Sequence, residues 1–247
     1  MSTSPLVVRE FDFRDEDFEA LRALVRSLTG ISLGEQKREL VYGRLSRRLR
    51  ALRLASFKEY RALLASDPGE LAQLVNAITT NLTAFFRERH HFDYLREHVL
   101  RPIAEERRAP QRLRIWSAGC SSGEEPYSIA MTVLEALTED RRRDVRILAT
   151  DLDSDMLTRA RAGAYPPERL TSIGPSRLAR FFDQRHDRAA AAWQVKPEVA
   201  ALVTFKQLNL MHSLPMKGPL DAIFCRNTVI YFDKDTQRDL FARMAVL

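Results

Sequence analysis

Residues 115–127 read Ile-Trp-Ser-Ala-Gly-Cys-Ser-Ser-Gly-Glu-Glu-Pro-Tyr, and this stretch decides the fold of the chain. A short apolar run leads into a Gly/Ser-rich turn that opens an amphipathic helix, so the pattern predicts a strand, a turn and a helix in succession. The glycines Gly119 and Gly123 allow the backbone to approach a ligand closely, and the helix start offers free N–H groups. The stretch is therefore a candidate cofactor-binding turn.

The two glutamates after the turn indicate which kind of cofactor it binds. A dinucleotide site has G-x-G-x-x-G spacing and a helix start without acidic side chains, because its pyrophosphate is anionic. Glu124 and Glu125 stand where they would repel a phosphate. They suit S-adenosylmethionine (SAM), which carries an ammonium and a sulfonium. Since G-x-x-x-G is a common pattern, a turn that only joins a strand to a helix is the alternative.

Composition excludes several classes of protein. A chain of 247 residues, 45% of them hydrophobic, can bury a sizeable core. Residues 1–18 contain no apolar signal segment, and no stretch approaches the roughly 18 apolar residues of a membrane span. We therefore expect a cytoplasmic protein without membrane insertion. The formal net charge of +6 favours an acidic partner, which can be nucleic acid, anionic lipid or a protein surface.

Neither the cysteines nor the histidines suggest a metal site. Cys120 and Cys225 are too few for a disulfide framework and lack a second ligand at metal spacing, so we expect reduced, structural thiols. The five histidines do not form a metal-spaced cluster in the sequence, and we assign them no chemistry: His90, His91, His98, His186 and His212.

Residues 1–80 are predicted to form a small all-helical domain. Apolar residues recur there at helical spacing, and the predicted helices run from Asp15 to Gly30 and over about 35–53, 57–65 and 70–80. Residues 81–247 show a different pattern. After a helix over about 90–108, strands and helices alternate, which predicts a parallel α/β sheet with strands 113–117, 145–150, 202–208 and 220–225 and helices 125–137, 154–161 and one after Asp233. Prolines and a short helix over 176–182 mark an inserted subdomain at about 164–200.

Polar residues follow the predicted strands, at the edge where open α/β sheets bind ligands. Asp151 follows the second strand, where nucleotide-binding folds place an acid that accepts both ribose hydroxyls; the alternative is a helix cap. Asn209 follows the third strand and can hydrogen-bond an adenine edge. Arg226 and Asn227 follow the fourth strand.

Five motifs, in the same order over nearly the whole chain, resemble the chemotaxis receptor methyltransferases, the CheR family. They are Asn81-Leu82-Thr83-Ala84-Phe85-Phe86-Arg87-Glu88, Gly123-Glu124-Glu125-Pro126-Tyr127-Ser128, Ala149-Thr150-Asp151-Leu152-Asp153, Gln207-Leu208-Asn209-Leu210, and Phe224-Cys225-Arg226-Asn227-Thr228-Val229-Ile230-Tyr231-Phe232. The resemblance implies a helical N-terminal domain and a Rossmann-like methyltransferase domain with an inserted antiparallel β-subdomain. It also implies transfer of a methyl group from SAM to receptor glutamates, with S-adenosylhomocysteine (SAH) as product and no metal.

The resemblance also implies roles for individual residues. Together with Gly119 of the turn, the residues expected to contact SAM are Asn81, Thr83, Arg87, Glu125, Asp151, Asn209, Leu210, Arg226 and Asn227. Glu125 would hold the ammonium, Arg87 the carboxylate and Asp151 the ribose. Arg87 and Tyr231 are expected close to the transferred methyl group, with Tyr231 orienting the attacking carboxylate. Without the resemblance, Tyr231 is equally a packed aromatic, and Arg87 a surface charge paired with Glu88.

The helix over 37–53 carries seven basic residues against Glu39 alone. Three interpretations of this helix are open: a solvated face, a binding surface for nucleic-acid phosphates, or a docking surface for an acidic protein. We favour docking of the acidic helical cytoplasmic domain of a chemoreceptor, by Arg44, Arg47, Arg48 and Arg50, because the helix lacks interleaved aromatics for nucleic acid. The alternatives are a SAM-dependent RNA or DNA methyltransferase and a SAM-binding regulator without catalysis. We expect a monomer.

Two departures from the family pattern stand out. Ser122 replaces the more usual Thr before the second glycine, a conservative change. Family members also continue beyond the last helix into further strands, so we expect C-terminal strands to be missing beside the apolar strand 220–225.

Overall fold

The computed structural model describes residues 9–105, 112–186 and 191–247. They divide into two compact units, each with its own hydrophobic core. Unit 1 contains residues 9–79 and Ile230–Arg238, and unit 2 contains the described residues of Thr80–Val229 and Asp239–Leu247. The segment with Tyr231, assigned from the sequence to the second domain, thus groups with unit 1.

Unit 1 is helical, as predicted. Its helices are α1 Asp15–Thr29, a 3-10 turn Glu35–Lys37, α2 Arg38–Leu52, α3 Phe57–Ser66 and α4 Pro68–Ile78. Helix α1 begins with three acidic residues and ends at Gly30, whose φ of 73° is left-handed. The Asp67 side chain caps α4 by accepting from Gly69 N and Glu70 N. The apolar faces meet in a core that includes Phe18, Leu45, Tyr60 and Leu74, all at most 1% exposed.

Unit 2 contains two sheets. In chain order the strands are β1 Leu113–Ala118, β2 Val145–Asp151, β3 Ala164–Tyr165, β4 Phe182–His186, β5 Ala191–Val195, β6 Val203–Gln207 and β7 Ala222–Phe224. The larger sheet has the order β6-β2-β1-β7 and is parallel throughout. Its strands end at one edge, so the segments that follow β1, β2, β6 and β7 are brought together there. Among the described residues, β7 pairs with β1 alone.

The smaller sheet confirms the inserted β-subdomain. Its order is β3-β5-β4, with antiparallel pairing throughout. The intervening chain forms a 3-10 turn, Pro167–Leu170, and helix Pro175–Phe181, and helix Pro197–Ala200 leads back towards β6. Buried Tyr165, Phe181 and Val195 join the subdomain to the main core of unit 2.

The remaining helices largely follow the predicted pattern. The predicted helix over 90–108 is α-helical at His90–Tyr94, widens into a π-helix at Leu95–Leu100 and becomes α-helical again at Arg101–Glu105; residues 106–108 lie outside the described part. Helices Glu124–Ala136 and Ser154–Ala162 follow β1 and β2, and Lys234–Met244 follows Asp233, which accepts from Thr236 N at 2.9 Å. None of the described helices has the length and apolarity needed to cross a membrane.

Candidate active site

The turn after β1 requires both of its glycines. Gly119 and Gly123 have φ values of +90° and +97°, which side chains rarely adopt. A Cβ at Gly119 would collide with the Thr228 side chain, and one at Gly123 would lie 2.9 Å from the Tyr165 hydroxyl. The sequence pattern predicts that these glycines allow a ligand to approach closely. In the structure the space beside them is filled by the protein's own atoms, so they let the turn pack.

The two glutamates after the turn have different surroundings. The Glu124 side chain is fully buried and forms an ion pair with Arg169 of the inserted subdomain. Glu125 accepts from Ser117 Oγ at 2.8 Å and from Arg226 Nη1 at 3.0 Å. Burial raises the pKa of Glu125 to about 7. Because Arg169 already balances the charge of Glu124, Glu125 is the glutamate of this pair suited to a cationic ligand.

Arg226 lies at the centre of a charged cluster after β7. It donates to Glu125 and to the Arg87 carbonyl, and its Nη2 lies 3.2 Å from Glu88 Oε2. Its Nε is buried and has no hydrogen-bond partner among the described residues. A buried donor without a partner is costly, and an anionic ligand group would satisfy it. With Glu125, this donor set fits a ligand that carries both an ammonium and a carboxylate, as SAM does.

Asp151 ends β2 and is buried. Its Oδ2 accepts from Ser121 N at 2.7 Å and its Oδ1 from Asp153 N at 2.9 Å. The next helix is capped instead by Asp153, whose Oδ1 accepts from Asp155 N and Met156 N, so the helix-cap alternative for Asp151 is wrong. Burial raises the pKa of Asp151, opposed by the backbone donors. A carboxylate has about four acceptor positions, so Asp151 can still accept a ribose hydroxyl beside these backbone donors.

Asn81 and Asn209 lie in segments joined to this edge of the sheet. Asn81 Nδ2 donates to Asp153 Oδ2 at 2.7 Å, and its carbonyl accepts from Ser121 Oγ at 3.1 Å. After β6, Leu208 N donates to the Asp151 carbonyl at 3.0 Å, and Asn209 Oδ1 accepts from Met211 N. The 81–88 segment and three strand ends therefore meet around Asp151.

Glu88 is a site residue that the sequence suggests only as a partner for Arg87. Arg87 Nε is 3.8 Å from Glu88, and Arg87 Nη1 donates to the Leu82 carbonyl. Glu88 accepts more closely from Arg226 and from Asn227 Nδ2, at 3.3 Å, and the hydrogen bond from Arg226 is the main cause that holds the pKa of Glu88 below its usual range. Glu88 and Asn227 both have left-handed φ, at 54° and 55°. Its place inside the 81–88 motif was the signal in the sequence.

The structure corrects the expectation that no histidines cluster at metal spacing. Potential ligand atoms of Glu88, His90 and His91 lie within 4.8 Å of one another. Both oxygens of Glu88 already have donors, however, and one donor is the Arg226 guanidinium. The same guanidinium contributes with burial to a lowered pKa of His91, so it would repel a metal cation as well. We therefore assign no metal here.

Three predicted site residues have less distinctive surroundings. Thr83 is half-buried and makes no hydrogen bond within the described ranges. Leu210 is buried, and its carbonyl accepts from Arg243 Nη2 at 2.6 Å. Tyr231 belongs to unit 1, where its carbonyl accepts from Ser32 N at 2.9 Å. The role of its hydroxyl stays a prediction.

The predicted docking arginines on α2 are mostly engaged within unit 1. Arg44 donates to the carbonyls of residues 77, 78 and 79 at the end of α4. Arg48 makes a two-pronged ion pair with Glu70, whose side chain is 4% exposed. Arg50 pairs with Glu10 at 2.8 Å. Arg47 is exposed and has no partner among the described residues, which makes it the strongest docking candidate of the four.

Both cysteines are free. Burial raises the pKa of Cys120 well above its usual value and that of Cys225 to about 12. Both therefore remain thiols at neutral pH, and neither is an activated nucleophile. This agrees with the structural role expected from the sequence.

Comparison with known proteins identifies both parts of the chain. Residues 81–247 match the model of the CheR methyltransferase SAM binding domain, and residues 16–79 match that of the CheR methyltransferase all-alpha domain. The chain is 50% identical to chemotaxis protein methyltransferase 2 of Pseudomonas aeruginosa, over 97% of this chain and 84% of that protein. It is 42% identical to the chemotaxis protein methyltransferase of Escherichia coli, over 94% of this chain and 80% of that protein. The Klebsiella aerogenes chemotaxis protein methyltransferase is 44% identical over 94% of this chain and 79% of its own length.

Proposed function

The chain belongs to the CheR family of SAM-dependent methyltransferases, and from this premise we propose that it methylates side-chain carboxylates of glutamates in chemoreceptors. The products are a glutamate methyl ester, which serves sensory adaptation, and SAH. The observation that carries the assignment is the pair Glu125–Arg226. It combines a buried carboxylate of raised pKa with a buried guanidinium N–H that has no partner among the described residues, and the turn before Glu125 donates to Asp151 through Ser121 N.

The charges of these side chains support specific roles towards SAM. Glu125 accepts from the ammonium, and Arg226 and Arg87 provide positive charge for the carboxylate. Asp151 accepts from the ribose hydroxyls, and Asn209 hydrogen-bonds the adenine edge. Substitution of Glu125, Arg87 and Asp151 tests three of these roles.

Methyl transfer to a carboxylate needs little proton transfer. A glutamate with a reference pKa of about 4.3 is already an ionised nucleophile at pH 7. Catalysis then depends on aligning the carboxylate oxygen, the methyl carbon and the sulfur, and alignment of reactants contributes up to about 7–11 kcal/mol. We assign this alignment to Arg87 and Tyr231. The Tyr231 hydroxyl donates to the attacking carboxylate, and its removal should reduce turnover more than cofactor affinity.

The partner is proposed as an acidic helical segment of the receptor's cytoplasmic domain. Such a segment is anionic because it presents glutamates, and exposed Arg47 on α2 offers it a positive charge with no partner among the described residues. A cytoplasmic monomer suits this substrate. Nucleic acid is the less favoured partner, since the one aromatic of α2, Tyr42, packs against Phe13 and Phe57 within unit 1 and does not form a stacking platform for bases.

Incubation with methyl-labelled SAM tests the proposal directly. The acceptors are a panel of receptor cytoplasmic fragments, total RNA and buffer alone. We expect label on a receptor fragment that is released as methanol by mild base, as a carboxyl methyl ester requires. Base-stable label, label on RNA only, or SAH binding without transfer to any receptor fragment would contradict it, and the last result would favour a SAM-binding regulator.

A further inference from the structure

The inserted subdomain, residues 164–200, contacts the turn that precedes Glu125. The Tyr165 hydroxyl donates to the Ser122 carbonyl at 2.6 Å. Arg169 Nε donates to Glu124 Oε1 at 3.0 Å, and its Nη2 donates to the same oxygen and to Ser122 Oγ. Two residues of the subdomain thus hold the turn through its backbone and its side chains.

The same subdomain contacts the segment that carries Asn81, Arg87 and Glu88. Ser172 Oγ donates to the Phe85 carbonyl at 2.8 Å. The Arg177 guanidinium lies 4.2 Å from the centre of the Phe86 ring. Two of the chain segments that form the candidate SAM site, the 81–88 segment and the turn before Glu125, are therefore fixed to one subdomain that contributes none of the predicted cofactor ligands.

Among these contacts, the ion pair between Arg169 and Glu124 is the hardest to replace, because it involves a buried charge. The Glu124 side chain is 0% exposed, so its carboxylate depends on partners within the protein. Ser122 Oγ donates to Glu124 Oε2 at 2.7 Å while it accepts from Arg169, which closes the network. On either side of this network lie Ser121, whose N–H donates to Asp151, and Glu125.

We propose that Arg169 is a positioning residue for SAM binding: by fixing Glu124 and Ser122 it sets the turn that presents Glu125 and Asp151 to the cofactor. Arg169 needs no contact with SAM to do this. The inference rests on the proposed use of this site for SAM and adds that the inserted subdomain is required for its cofactor affinity.

The test measures the Kd for SAH by calorimetry and the melting temperature of each variant. Arg169→Met should weaken SAH binding by about tenfold, because a hydrogen-bonded charge that holds the turn is lost. The matched control is Arg185→Met in β4, since Arg185 is exposed and has no partner among the described residues. It should bind SAH like the unaltered protein.

A double variant separates positioning from stability. Arg169→Met alone leaves the Glu124 carboxylate buried without its guanidinium and should lower the melting temperature. Adding Glu124→Gln removes that charge, so stability should recover while SAH affinity stays low. Unchanged SAH affinity in Arg169→Met, or affinity that recovers together with stability in the double variant, would overturn the proposal.

Asp151→Ala distinguishes this inference from the site assignment. If Asp151→Ala loses affinity and Arg169→Met does not, the site is right and the positioning role is wrong. If Asp151→Ala binds SAH normally, the assignment of the ribose to this carboxylate fails first, and the positioning role fails with it.

Discussion

Binding of SAH should weaken as the pH falls from 7 to 6, because Glu125 must be ionised to accept from the ligand's ammonium. Burial raises the pKa of Glu125 to about 7 in the ligand-free protein. At that pKa about half of the molecules carry the ionised form at pH 7 and about one in eleven at pH 6. Because the apparent Kd is the intrinsic Kd divided by the competent fraction, it should rise about fivefold over this unit of pH.

The direction of this change in SAH affinity with pH follows from proton linkage. A bound ammonium favours the ionised carboxylate, so the pKa of Glu125 falls on binding and protons are released. At pH 7 the complex should release about half a proton per SAH bound. The interval from pH 6 to 7 is chosen because an α-amino group, with a reference pKa of about 7.7–8.0, stays mostly charged throughout it.

Isothermal titration at pH 6.0, 6.5 and 7.0, in two buffers of different ionisation enthalpy, measures both quantities. Glu125→Gln should bind more weakly and lose the pH dependence. Glu97→Gln, which alters an exposed glutamate paired with Arg101, should retain it. His91→Gln should also retain it, since Glu125 and not His91 is the group whose ionisation the ligand's ammonium requires, and burial lowers the pKa of His91. A Kd that is equal at pH 6 and 7, with no proton released, would refute the role of Glu125.

Three further expectations concern binding, transfer and docking. Asp151→Ala should weaken SAH binding by about 1–3 kcal/mol in calorimetry, and an unchanged Kd would place the ribose elsewhere. Tyr231→Phe should lower kcat while the Kd for SAH stays near that of the unaltered protein, whereas Arg87→Ala should impair both; equal losses of affinity would make Tyr231 a cofactor ligand or a packing residue. Arg47→Glu should raise the KM for an acidic receptor fragment and flatten its salt dependence with SAH binding intact. Arg48→Ala should instead lower the free energy of unfolding by about 3 kcal/mol, because the buried Glu70 carboxylate loses its counter-ion and keeps only the Tyr60 hydroxyl as a donor among the described residues. An unaltered salt dependence in Arg47→Glu would show that α2 is a solvated face and not a docking surface.

Local patterns in the sequence were sufficient for the fold. Turn residues and apolar periodicity fix where elements begin and end, and the parallel order of the large sheet follows from alternating strands and helices. Gly30 and Asp67 illustrate this, since each acts on residues within one turn of helix. The edge of the sheet that gathers Asp151 and Arg226 was predictable for the same reason.

Long-range pairing was not predictable. Arg48 and Glu70 are 22 residues apart, and Arg169 and Glu124 are 45 apart. A basic run on a helix has the same sequence whether its arginines face solvent, a partner or a buried carboxylate. Only the packing of α2 against α4 shows that Arg48 pairs with a buried carboxylate. The sequence therefore placed the helix correctly, but it could not show which of its arginines are engaged within unit 1, and docking by this helix stays a prediction.

Helix geometry explains why the two adjacent glutamates meet different partners. With 3.6 residues per turn, consecutive side chains project about 100° apart. Glu124 therefore meets Arg169 of the inserted subdomain while Glu125 meets Arg226 beyond β7. Glu124, fully enclosed, has its charge balanced within the protein, whereas the pKa of Glu125 is raised despite Arg226, which leaves it short of positive charge. A cationic ligand can supply that charge at Glu125, whereas it cannot reach the fully buried side chain of Glu124. The acidic pair therefore provides one structural carboxylate and one binding carboxylate.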